Sequence, residues 1–224
     1  MNFRKVIKTL AYNDELFNVG VLLRVLSMLL RGGWIKLRSI KNISFPVFMA
    51  SGCRVIGPIN KLNIGKMVKI EGNVIIQTHS KRGITLSDKV TIGEGTKIRP
   101  SSYYGGELGD GLYIGNGSAV GVNSYLGCSG FIYIGDDVII GPNFTAIAEN
   151  HNFEDTRVPI KEQGVKRTPI TISNNVWIGC NVTILAGVEI GAGSVIAAGA
   201  VVTKSLPPGS LAAGIPARVI RDIS

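Results

Sequence analysis

In the last third of the chain, aliphatic residues return every six positions, at Ile172, Ile178, Ile184, Ile190, Ile196 and Val202. Two places before each stands a small or branched residue: Ile170, Val176, Val182, Val188, Ser194 and Ala200. The same phase recurs earlier in fragments, as Ile64-Ile70-Ile76, Leu86-Ile92-Ile98, Ile114-Val120-Leu126-Ile132 and Ile134-Ile140. An α-helical stripe returns every 3.6 residues, so a period of six is not helical. It agrees with a strand for a few residues and then demands a corner. Three such units close a triangular coil of about 18 residues, with the aliphatic residue inside and the small one letting the chain turn. One coil cannot bury its own face. Several must stack, pairing as parallel strands around a continuous aliphatic column. Residues from about 60 to 206 would supply roughly six or seven coils. The pattern therefore predicts a mainly β chain built as a parallel β-helix.

The amino-terminal part reads differently. Residues 16–30 are almost wholly apolar, interrupted by Asn18, Gly20, Arg24 and Ser27. Asp14 is a candidate helix cap, and Gly32-Gly33 a candidate stop. The expected division is a helical segment over 1–45, the β-helix over 46–209 and a short tail over 210–224. The apolar run is short of the ~20 residues a membrane-spanning helix needs, and Arg24 sits in its middle. Asn13-Asp14-Glu15 follow the first basic residues, and no small-residue cleavage site is evident, unlike a signal peptide. Residues 1–41 carry a net charge of +6, from Arg4, Lys5, Lys8, Arg24, Arg31, Lys36, Arg38 and Lys41 against Asp14 and Glu15. Two readings stand. The helix packs on the main domain or a neighbouring subunit, or it makes peripheral contact with anionic lipid through 14–31.

Composition narrows the chemistry. Hydrophobic residues make up 45 % of the 224, which excludes wholesale disorder. The net charge of +9 favours an anionic partner. Basic residues past 41 are scattered and no nucleic-acid-binding module is recognisable, so nucleic acid is not the expected partner. The three cysteines form no C-x-x-C pair, which fits a reducing, cytoplasmic setting and neither a disulfide framework nor a zinc site. His79 and His151 are the only histidines, so a three-histidine metal site from one chain is excluded and no metal is expected. G-x-G-x-x-G, P-loop and H-E-x-x-H motifs are all missing.

The repeat lapses between Ala148 and Thr168. An excursion of about 20 residues from a regular solenoid is usually functional. It carries His151, the side-chain type that most readily takes a proton near neutral pH. Glu149 lies two residues earlier, and alternation along an extended segment puts both on one face, where Glu149 could orient the imidazole. His79 has no carboxylate beside it in sequence and reads as a solvated corner residue. Trp177 stands where a large ring cannot point inward, which marks it as a wall for a ligand or a subunit contact.

Four segments carry a family resemblance: Val176-Trp177-Ile178-Gly179, Ile190-Gly191-Ala192-Gly193-Ser194, Val202-Thr203-Lys204 and Ala213-Gly214-Ile215-Pro216-Ala217-Arg218. Together they resemble the hexapeptide-repeat acyltransferases, and most nearly those that O-acetylate galactosides, maltose and bacterial polysaccharides. The resemblance runs from about Ile64 to Arg221, roughly 70 % of the chain. It implies a left-handed coil, which the period alone does not tell. It also implies an acetyl-CoA-dependent O-acetyltransferase with His151 as general base. The acceptor would be a sugar hydroxyl, within bacterial surface polysaccharide synthesis. By the same resemblance Trp177, Gly179, Cys180, Ala198 and Thr203 border the pantetheine arm, while Lys204, Arg218 and Arg221 meet the phosphates and adenosine end. Transfer would be direct, leaving Cys180 no role as nucleophile. Asn123 resembles an asparagine near the acceptor site, although Gly127–Phe131 departs from the family pattern. Relatives are homotrimers with sites between subunits. The alternatives are an acyltransferase for an amino-sugar, serine or antibiotic acceptor, and a non-catalytic β-helix.

Overall fold

The structure is a computed structural model that describes residues 19–100 and 107–223. Short parallel strands stack into three faces of a left-handed prism. The first face begins at Val47–Met49 and climbs through Val68–Ile70, Thr91–Ile92, Ala119–Val120, Ile139–Ile140, Trp177–Ile178 and Val195–Ile196 to Ser210–Gly214. The second runs from Arg54–Ile56 to Val201–Val202, and the third from Leu62–Ile64 to Glu189–Ile190. Each coil visits the faces in that order. Its first corner joins faces one and two, its second joins two and three, and its third leads up to the next coil.

The six-residue phase is the core. Ile172, Ile178, Ile184, Ile190 and Val202 are fully buried, and Ile196 nearly so. Register locks the column: Ile134 pairs with both Ile114 and Ile172, and Ile140 with Ile178. One expectation needs correcting. The residues two places earlier do not make the turns. Ile170, Val176, Val182, Val188, Ser194 and Ala200 also point inward and are buried. The turning residue is the next one back, in the left-handed region. Asn175, Asn181, Gly187, Gly193 and Gly199 all have positive φ, again six apart. Asn and Gly carry this conformation at least cost. Coiling also starts earlier than the repeat alone suggests, at Val47.

At the top of the prism, Ser210–Gly214 turns back into Ala217–Asp222, antiparallel to it. At the bottom lies helix α1, Val19–Arg38. Residues 14–18, including the expected cap Asp14, lie outside the described residues. Gly32-Gly33 do not end the helix, contrary to the expectation. Gly32 is buried, and a Cβ there would collide with the carbonyl oxygen of Val47. The glycine lets α1 lie against the first strand. Met28, Gly32 and Ile35 form the buried stripe, with Val25 and Leu29 packed at its edge. The helix ends at Arg38, where the Lys36 ammonium donates to the carbonyls of Ile40 and Ile43 at 3.3 and 2.6 Å. Among the described residues no helix is long and apolar enough to cross a membrane.

Candidate active site

Regularity fails at the second corner. The first and third corners turn on a left-handed residue in coil after coil, with Asn73, Asn123, Asn143 and Asn181 at the first, and Lys89, Asp137 and Asn175 at the third. The second corner instead carries longer connections, one over 148–169 and one leaving at Arg99 and returning through 107–110. Both spring from the second face, two coils apart, on the same edge of the prism.

The larger excursion is a two-stranded antiparallel ribbon. Glu149–His151 pairs with Val165–Arg167, His151 lying opposite Val165. The residues between are held by polar contacts, because they have almost no core of their own. The Gln163 amide donates to the carbonyls of Asp155 and Val158 at 2.8 and 2.7 Å, and its oxygen accepts from the Asp155 N–H at 3.2 Å. The Asn152 side chain donates to the Gln163 carbonyl at 3.0 Å. Arg157 grips the Asp155 carboxylate with two nitrogens, at 2.9 and 3.0 Å. That contact holds the Asp155 carboxyl below its usual range. The return strand is tied to the other excursion by Arg167, which donates to the carbonyls of Leu108 and Glu107 at 2.9 and 2.8 Å.

Between the ribbon and the second face lies a pocket of about 390 Å3 lined by Arg99, Tyr125, Gly127, Ser129, Ile147, Glu149 and His151. Alternation along the extended strand brings Glu149 and His151 to it together, as expected. His151 is exposed and Glu149 half-buried. Among the described residues no hydrogen bond joins the two. Gly127 and Ile147 are register partners on the floor, and the glycine lets the Tyr125 ring lie close, 3.0 Å from where a Cβ would be. Cys128, just behind, is fully buried, and burial pushes its thiol far above the usual range, so it is no nucleophile at neutral pH. The site can offer one imidazole, one carboxylate, one guanidinium and two hydroxyl-bearing side chains to a polar ligand.

The remaining sequence candidates lie elsewhere on the chain. Gly179, Cys180 and Ala198 form a ladder on the first corner, where a Cβ on Gly179 would come within 2.6 Å of the Ala198 nitrogen. Cys180 and Ala198 are exposed. Trp177 projects from the first face, 57 % exposed between the inward Val176 and Ile178. Arg218 and Arg221 are exposed on the terminal strand of that face, Arg221 opposite Leu211. Thr203 and Lys204 are exposed on the second corner, two coils above the ribbon. Asn123 is a first-corner residue with φ of 55°, its side-chain oxygen beside Gly95, and it does not line the His151 pocket. His79 is exposed at the second corner of an early coil. Within one chain, then, the base candidate and most of the acetyl-CoA candidates occupy different edges.

Sequence reasoning missed Arg99, Tyr125 and Ser129. Their signal was register: Arg99 follows the inward Ile98 just before an excursion, as Gly127 follows Leu126 one coil later. Among the described residues no cluster of three or more His, Cys, Asp or Glu is placed to hold a metal.

Stacked hexapeptides around an aliphatic column, with one ribbon-bearing corner, define the class: a left-handed parallel β-helix. The comparisons agree. Residues 169–204 match the bacterial transferase hexapeptide family (six repeats). Over 135 residues the chain is 40 % identical to galactoside O-acetyltransferase of Escherichia coli (strain K12), covering 60 % of this chain and 64 % of that protein. Over 92 residues it is 48 % identical to sophorolipid acetyltransferase of Starmerella bombicola, covering 41 % and 35 %. The chain thus spans less than two thirds of the length of these relatives. The fold matches that of AntD, an N-acyltransferase from Bacillus cereus solved in complex with dTDP and 3-hydroxybutyryl-CoA, with a TM-score of 0.55 over 84 % of this chain and 87 % of that one at 19 % identity. The chain is thus similar to the hexapeptide-repeat acyltransferases, a sugar O-acetyltransferase among them.

Proposed function

We propose that the protein is an acetyl-CoA-dependent O-acetyltransferase acting on a sugar hydroxyl in bacterial surface polysaccharide synthesis, with His151 as general base. The observation that carries the reading is the placement of His151 at the mouth of a polar pocket, on a ribbon the repeat does not need. Identity to a galactoside O-acetyltransferase supports the acceptor class.

Acetyl-CoA supplies the acetyl group as a thioester. The residues present fit it: Gly179 and Ala198 leave the first corner free of bulky side chains, and Lys204, Arg218 and Arg221 are exposed cations suited to its phosphates. His151 takes the acceptor proton as the hydroxyl oxygen bonds to the carbonyl carbon. The carbon–sulfur bond breaks, and the imidazolium returns the proton to the departing sulfur. A backbone N–H of a neighbouring coil would meet the transient oxyanion. Glu149 steadies the imidazolium, and Arg99, Tyr125 and Ser129 hold the acceptor. Direct attack on the thioester needs no covalent enzyme intermediate, so Cys180 is given no role as nucleophile.

The separation of the two candidate sets on one chain supports a homotrimer in which each active site is shared. A further observation favours it. The outward row of the first face, Ala119, Ile139, Trp177, Val195 and Leu211, is apolar and in register, with Ile139 60 % exposed. We place the protein in the cytoplasm, where three free cysteines are at home. The test is mass spectrometry of acceptor sugars incubated with enzyme and acetyl-CoA. A base-labile acetyl ester on the sugar is expected. Acetylation of amines alone would overturn the acceptor class.

A further inference from the structure

Helix α1 has a second apolar stripe that the prism leaves uncovered. Leu23, Leu26, Leu30, Trp34 and Leu37 succeed one another at spacings of three and four, so they share one side of the helix. They are at least half exposed, reaching 67 % at Leu30, 68 % at Trp34 and 69 % at Leu37. This side is roughly opposite the buried stripe of Met28, Gly32 and Ile35. Ile40 and Phe45, 67 % and 51 % exposed, extend the apolar surface past the end of the helix.

A line of cations runs beside the stripe. Arg24, Arg31 and Arg38 are seven residues apart, which returns them to nearly the same side, and all three are exposed. Residues 19–38 contain no Asp or Glu. Scattered exposed apolar residues on a soluble surface need no explanation, but a continuous stripe edged by one sign of charge does.

We infer that α1 lies flat on an anionic lipid bilayer, with Leu23, Leu26, Leu30, Trp34 and Leu37 in the acyl boundary and Arg24, Arg31 and Arg38 among the phosphates. The charge line selects this occupant. A second copy meeting the same stripe symmetrically would bring two or more like-charged arginine lines together, whereas anionic headgroups neutralise them. Indole at the interface and guanidinium reaching outward from an apolar edge suit the boundary between water and lipid. The helix does not cross, since it is too polar on its other sides. The inference is independent of the proposed acetyl transfer.

The experiment is sedimentation of the full chain with two vesicle types: phosphatidylcholine alone, and equimolar phosphatidylcholine and phosphatidylglycerol. Binding should be about tenfold or more stronger on the anionic vesicles and should fall with added salt. The triple variants Leu30→Gln/Trp34→Gln/Leu37→Gln and Arg24→Gln/Arg31→Gln/Arg38→Gln should each lose about tenfold or more. All changed side chains are exposed, so melting curves and thiol release with a soluble acceptor should stay at wild-type values. Equal binding to both vesicle types, no binding, or retention by both variants would overturn the inference. So would a drop in solution mass of the apolar variant, which would make the stripe a contact between copies.

Discussion

His151 owes its legibility to scarcity and position. It is one of two histidines and the only one on a long break in the repeat. Glu149 was legible by alternation, and the structure places both on one pocket. Arg99, Tyr125 and Ser129 were hidden, because they meet only through the register of coils separated by 99–110. Asn123 misled for a related reason. An Asn at a corner reads as a polar candidate, but Asn is also what a left-handed corner prefers, and Asn143 and Asn181 repeat it. Stacking tightness is set residue by residue as well. Gly179 has the Ala198 backbone 2.6 Å from where its Cβ would be. Gly179→Ala should therefore pry two coils apart and cost about 1–3 kcal/mol, read as a lower melting temperature. An unchanged melt would mean that this corner is more compliant than its geometry implies.

Among the elements, the strands followed from the period of six, because side-chain alternation and corner spacing are both local. The end of α1 did not. Gly32-Gly33 looked like a stop, yet Gly32 serves a close approach to Val47, a tertiary fact with no local mark. The shape of the 148–168 excursion was equally hidden, since its order comes from Gln163, Asn152 and the Asp155–Arg157 pair. Gln163→Ala removes three of those bonds. It should raise the acceptor KM several-fold and leave the melt of the prism nearly unchanged. The Asp155 carboxyl is held low by Arg157, so its contribution to loop order is complete at neutral pH. That contribution is lost only as pH falls through the lowered value, below the ordinary carboxylate range near 4. Hydrogen exchange of residues 152–164 should therefore stay slow relative to an Asp155→Asn variant at neutral pH, and the difference should vanish in strong acid. A difference that persisted there would remove the pair from the explanation.

At the scale of the whole molecule, a solenoid sums nearest-neighbour contacts and leaves its outer faces to chance or to partners. The proposed homotrimer would cover the apolar row from Ala119 to Leu211, in which Ile139 and Trp177 are more than half exposed. On that proposal, Ile139→Glu with Trp177→Glu should leave species of about 24 kDa by light scattering, from the chain mass of 23.8 kDa, where the wild type is about three times heavier. The circular dichroism of the β-helix should remain, and acetyl transfer should disappear because each site loses its second wall. A variant that is monomeric and fully active would place the whole site on one chain.

The most direct measurement pairs acetyl-CoA binding with turnover in wild type and His151→Ala. Both proteins should melt higher with acetyl-CoA by the same increment, about 2.7 kcal/mol at 100 times the dissociation constant. With a sugar acceptor, thiol release by the variant should fall by about 10²–10⁴. Equal turnover by the two proteins would contradict His151 as the base, and no shift in either at millimolar acetyl-CoA would contradict the reaction itself.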